Sequence, residues 1–228
     1  MLTPGLILIV GVPPSIAIGT DVAIASVMKL MAGGAYAWKS QVHWRTVWRL
    51  AAGSIPGVLV GLVVLSLLDS RAMDLYLQRA LAVLLFIAGA TGLVRLVVHR
   101  TSPPHSEGPG VVAAAVMGFL TGLLVTITSV GSGSLLLAVL SLAFPMGATQ
   151  LVGTDLVHAL LLTTVASAGH FVAGRVDMHL AGAVLVGGIP GVLVGVRLAT
   201  RVPERWLRGI LSAVLIVLAI QLLVMGKA

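Results

Sequence analysis

Cysteine is absent from this 228-residue chain. Disulfide staples, thiolate catalysis and Cys-ligated metal are therefore excluded. Charge is scarce: charged residues make up 9% of the chain, where a water-soluble domain carries roughly 25%. Acids are scarcer still, 7 against 14 Lys and Arg. Aromatics are 4%, too few for a base-stacking platform. A soluble enzyme, a disordered tail and a nucleic-acid binder are all disfavoured, and no nucleic-acid partner is expected. What is present instead is apolar: hydrophobic residues reach 58% and mean hydropathy is +1.12. The net charge of +7 sits on Lys and Arg that mostly flank long apolar runs. That pattern belongs to membrane topology.

The runs have helical length and lack the alternation of outer-membrane strands. The expected fold is all-α: a polytopic transmembrane helical bundle in contact with the lipid bilayer. Spans are read near 15–36, 46–68, 75–98, 110–130, 148–172, 180–199 and 205–225. Two shorter apolar pieces, 4–10 and 134–143, cannot cross a core about 30 Å thick and read as half-helices. Residues 1–12 lack the basic n-region and cleavage site of a signal peptide. The chain is placed in the cell inner (plasma) membrane as a multi-pass protein.

An internal repeat organises these spans. A shift of 134 residues lays Gly19-Thr20-Asp21 on Gly153-Thr154-Asp155. In the same frame Ile55-Pro56-Gly57-Val58-Leu59-Val60-Gly61 falls on Ile189-Pro190-Gly191-Val192-Leu193-Val194-Gly195. The domains read as a first repeat 1–98, a polar linker 99–110 and a second repeat 111–228. Basic loop residues concentrate on one membrane face if the halves are inverted, so the positive-inside bias favours inversion. Under the shift Met1 meets Leu135, so the first half has no counterpart of the span that opens the second.

A charge at the bilayer centre costs about 2.5–3.5 kcal/mol, so the few intramembrane polar residues are the functional candidates. Lys29 is too deep for easy snorkelling and is expected to meet an anion or an Asp. Asp21, Asp155, His158 and His170 are candidates for proton coupling, since His titrates near neutrality. For the two Asp, a role as helix N-terminal caps is the plainer alternative. The glycine-rich break Gly131-Ser132-Gly133-Ser134 joins a span to a half-helix and offers backbone N–H groups to an anion. Thr20 and Thr154 add hydroxyl donors. The two IPGVLVG blocks read as helix packing. No HExxH, Walker A or GxSxG motif is present; no catalytic residue, metal site or cofactor is expected, and the chain is not read as an enzyme.

In order, the first half carries GVPPSIAIGTDVAIASVMKLMAGG, VHW and AAGSIPG. The second carries SVGSGSLLLAVL, LVGTDLVHALLLTTVASAGHFVAG and GGIPGVLVG. This pattern resembles the sulfite exporter TauE/SafE family of bacterial membrane transporters over nearly the whole chain. The resemblance implies a transporter of small sulfur oxyanions or organosulfonates, with about eight helices from a four-helix duplication. It also implies a first helix ending in a glycine-rich turn, which this chain lacks. Two alternatives stay open: a permease for another solute or cation, with the two Asp as ligands, and a truncated, non-transporting membrane subunit. The oligomeric state is not legible.

Overall fold

A computed structural model describes residues 2–67, 70–97, 110–130, 146, 148–199 and 204–225. Among these residues the fold is helical and contains no strand. The elements are α1 (Thr3–Leu8), α2 (Pro14–Trp38), α3 (Trp44–Leu67), α4 (Ser70–Val97), α5 (Val111–Thr128), α6 (Ala148–Val172), α7 (Met178–Ala199) and α8 (Glu204–Met225). Four stretches are long and apolar enough to cross a membrane: Pro14–Trp38, Trp44–Leu67, Val111–Thr128 and Thr149–Val172. They coincide with four of the expected spans. The other three expected spans, 75–98, 180–199 and 205–225, fall on α4, α7 and α8. The short piece 4–10 is the six-residue α1. The piece 134–143 and the linker up to residue 109 lie outside the described residues.

Local chemistry sets the boundaries. Pro4 stands at the start of α1, where its missing N–H costs nothing. Gly11 then takes a left-handed φ of +74°. Pro14 opens α2, and the Ser15 amide of its first turn donates to Asp74 Oδ1 of α4 at 2.9 Å. Ser129, at φ +58°, closes α5 with its N–H on Val125 O at 2.7 Å. Gly174, at φ +67°, turns the chain out of α6, and Arg175 N returns to His170 O at 2.9 Å.

Five helices converge on one core: Ile18 and Val22 of α2, Val58 and Leu65 of α3, Leu77 of α4, Val125 of α5, and Leu162 and Ala166 of α6. The outward faces are apolar too. Leu59, Val63 and Leu67 of α3 and Val112, Val116 and Leu120 of α5 are exposed. So large an apolar surface suits lipid tails and not water. Trp38, Trp44 and Trp48, also exposed, cluster where α2 ends and α3 begins. That is where amphipathic indoles anchor at a headgroup layer.

In lipid, helices associate through close packing and hydrogen bonds, because apolar burial gives little drive. The seam between α3 and α5 shows how this sequence meets that condition. Gly53 and Gly57 lie against the Ala115 and Phe119 carbonyls, and Gly118 and Gly122 lie against the Leu50 and Ser54 carbonyls. A Cβ at any of the four would overlap backbone. The first IPGVLVG block is thus a packing element. At the equivalent Gly187 and Gly191 of α7, no described residue lies within 4 Å of where a Cβ would be.

Candidate functional site

The central pair of helices is α2 and α6. The start of α2 meets the loop after α6, through Gly19 against the Arg175 carbonyl. The start of α6 meets the end of α2 and the loop after it, through Gly153 against the Gln41 carbonyl and Tyr36. The two helices therefore run antiparallel. Gly33 lies 3.5 Å from Leu156 O, by its hypothetical Cβ.

The two Gly-Thr-Asp motifs sit at opposite ends of this helix pair, and their first two residues make matching contacts. Asp177 N donates to Thr20 Oγ1 at 3.0 Å. His43 N donates to Thr154 Oγ1 at 2.9 Å. Both bonds join a helix to the loop after the opposite helix, and both contacts repeat at the 134-residue offset. Thr154 Oγ1 also donates to Gln150 O at 2.6 Å. Both threonine hydroxyls are buried and engaged in holding the opposite loops.

The two aspartates differ. All the hydrogen bonds found on Asp21 reach Oδ2: Leu2 N at 3.0 Å, Thr3 N at 3.0 Å, Thr3 Oγ1 at 2.6 Å and Ser129 Oγ at 3.0 Å. Asp21 lies well inside α2, yet it caps α1, where first-turn amides and the helix dipole favour a carboxylate. It also ties down Ser129, the residue that closes α5 ahead of the glycine-rich break. Asp155 is equally buried, at 4% exposure. Its Oδ1 has no hydrogen-bond partner among the described residues.

Lys29 stands near the middle of α2, about 13 Å from the nearer helix end at 1.5 Å per residue. Its ammonium is in electrostatic reach of both Asp155 and Asp21. His158, one turn along α6 from Asp155, is fully buried and also feels the Lys29 charge. Its Nε2 pairs with Ser54 Oγ of α3 at 3.0 Å, and its Nδ1 has no partner among the described residues. Asp155 and His158 share a helix face at this spacing.

His170 is apart from this group. Its Nε2 donates to Thr126 O of α5 at 3.0 Å, and its buried Nδ1 has no partner among the described residues. Nearby, Arg175 Nη2 donates to Leu65 O at 2.9 Å and so caps the C-terminal end of α3. Partial burial moves the Arg175 guanidinium below its ordinary range, and the Asp74 carboxylate opposes that shift. Gly131, Ser132, Gly133 and Ser134 lie outside the described residues. Among the described residues no group of His, Asp or Glu has the arrangement of a metal site.

The structure thus gathers Lys29, Asp21, Asp155 and His158 about one helix crossing. Three partners went unread in the sequence: Thr3, Ser54 and Ser129. Nothing in their local spacing marks them, because each is paired across the fold.

Comparison with known proteins gives a consistent picture. The family model "Sulfite exporter TauE/SafE" matches residues 1–222. The chain is 34% identical to the probable membrane transporter protein YjnA of Bacillus subtilis (strain 168), over 98% of this chain and 90% of that protein. It is 32% identical to a probable membrane transporter protein of Xylella fastidiosa (strain 9a5c), over 87% of this chain and 76% of the relative. No solved structure matches.

Proposed function

We propose a specific transport role on the premise that this chain belongs to the sulfite exporter TauE/SafE family of membrane transporters. In this reading it carries a small sulfur-containing oxyanion, of the sulfite or organosulfonate type, across the cell inner membrane. The bundle is a duplication with inverted halves and seven spans, and the anion binds between the halves. The antiparallel course of α2 and α6 supports inversion, and so do the paired contacts at Thr20 and Thr154. Binding sites between inverted repeats are the common plan of such carriers.

The observation that carries the reading is Lys29: an ammonium deep in an apolar helix, facing carboxylates at the crossing of α2 and α6. Such a charge is expensive to keep, and a small anion gives it a purpose. Lys29 and the N–H and hydroxyl groups of Gly131, Ser132, Gly133 and Ser134 are the direct donors. Thr20 and Thr154 complete the site by fixing its walls through their bonds to the opposite loops. Asp21, Asp155, His158 and His170 are the titratable groups from which proton coupling draws. The alternative, with both Asp as cation ligands, loses support from Asp21, whose Oδ2 already accepts four hydrogen bonds.

Reconstituted vesicles loaded with labelled sulfite test the proposal. Lys29→Ala is expected to lower flux at least about tenfold, since one charge-assisted contact is worth roughly 1.5–3 kcal/mol. Flux at the unmodified rate would defeat the assignment.

A further inference from the structure

The sequence treats Asp21 and Asp155 as equals, because each ends an identical Gly-Thr-Asp triplet at the same place in its repeat. Their surroundings separate them. Asp21 takes two backbone amides and two hydroxyls on one oxygen. Four donors on one oxygen commit this carboxylate to holding α1 and the end of α5. Among the described residues Asp155 presents a buried oxygen with no hydrogen-bond partner, and one turn on, His158 presents a buried nitrogen in the same condition. Two orphaned polar atoms on one helix face are costly unless something visits them. Among the described residues the charged and titratable groups around Asp155 are Lys29 from α2, which Asp21 also reaches, and His158 from its own helix; from α3 the polar neighbour is Ser54, through His158.

We propose that Asp155, and not Asp21, is the residue that binds the coupling proton, by trading the Lys29 ammonium with the arriving anion. The proposal rests on the transport reading given above. In the empty site the Asp155 carboxylate balances Lys29. A monoanion that enters takes over that balance. Asp155 then binds one proton from the water on the side of entry, at Oδ1. On the far side the anion leaves, the proton is released to water there, and the carboxylate returns to Lys29. Lys29, Asp155 and the bound anion sum to zero in both states: ammonium with carboxylate when empty, ammonium with anion and neutral acid when loaded, while Asp21 contributes the same charge to each. One proton therefore travels with each monoanion, in the same direction. The substrate class is correspondingly a singly charged oxyanion. A dianion would leave the loaded site negative within a low-dielectric core.

The test uses the full chain in proteoliposomes, with labelled sulfite as the probe and a pH gradient of one unit. One-to-one coupling allows about tenfold accumulation for that gradient. The unmodified protein and Asp155→Glu are expected to approach it, whereas in Asp155→Asn the ratio of uptake with and without the gradient falls to about one. Asp21→Asn is expected to keep the gradient response, whatever its overall rate. A full gradient response in Asp155→Asn overturns the proposal. A second readout does not depend on the solute: acid-minus-neutral infrared difference spectra should show a protonated-carboxyl band that Asp155→Asn removes and Asp21→Asn leaves. A band that survives in Asp155→Asn and vanishes in Asp21→Asn also overturns it. If the unmodified protein moves no sulfite, the substrate reading fails and the infrared arm still decides the role of Asp155.

Discussion

Gly53 and Gly187 offer an experiment in which one local sequence is met by two environments. Both stand two residues before the Ile that opens an Ile-Pro-Gly-Val-Leu-Val-Gly block, in helices α3 and α7. Replacing glycine by alanine inside a helix gains about 0.5–1 kcal/mol of backbone preference at either position. At Gly187 no described residue is within 4 Å of the new methyl, so the variant should be neutral or slightly stabilised. At Gly53 the methyl falls on the Ala115 carbonyl, and even the Ala115 Cα is 2.9 Å away. No side chain can rotate aside, since the obstacle is backbone. The helices must part by roughly an ångström, and overpacking of this kind costs about 1–3 kcal/mol. Gly53→Ala should therefore be less stable than Gly187→Ala by about 2 kcal/mol, roughly 30-fold in the folding equilibrium. The four tryptophans report unfolding by fluorescence as SDS is titrated into detergent micelles. Gly57→Ala against Gly191→Ala repeats the comparison one turn on. Equal shifts within either pair would refute the account of the α3–α5 seam.

Thr20→Ala and Thr154→Ala should each leave one loop amide without its acceptor, at about 1–3 kcal/mol. Hydrogen exchange should then speed up at Asp177 for the first and at His43 for the second, with each variant leaving the other loop protected. Asp21→Asn should weaken the N-terminal cap of α1 and loosen Ser129 together. Exchange at Leu2 and Thr3 should rise, and unchanged protection there would remove the cap assignment.

The bundle was legible in the sequence because lipid imposes a simple rule: apolar runs of about 20 residues become helices. The four strongest spans and the short α1 followed directly from that rule. The 134-residue repeat was legible because Gly-Thr-Asp and Ile-Pro-Gly are too specific to recur by chance in an apolar chain. The pairing of these residues was not. Asp21 was read as a cap or a proton carrier within its own helix, whereas its hydrogen-bond donors come from α1 and from Ser129. That contact spans 108 positions in sequence, and no periodicity encodes it. Lys29 stood out from cost alone, being a charge far from either end of an apolar run. Ser54 did not, because a serine in a membrane helix is ordinary until a histidine is found beside it.

The two Gly-Thr contacts can also be viewed as latches at opposite ends of the α2–α6 pair. Each consists of one amide-to-hydroxyl bond and one glycine seated on a carbonyl. Releasing either one costs nearly the same, on the order of 1 kcal/mol for the bond. A carrier must spend time open to each side, and the two openings must be close in energy for neither to trap it. On the proposed transport reading, matched latches would supply that near-degeneracy from the chain itself, with the bundle opening at one membrane face while it stays fastened at the other.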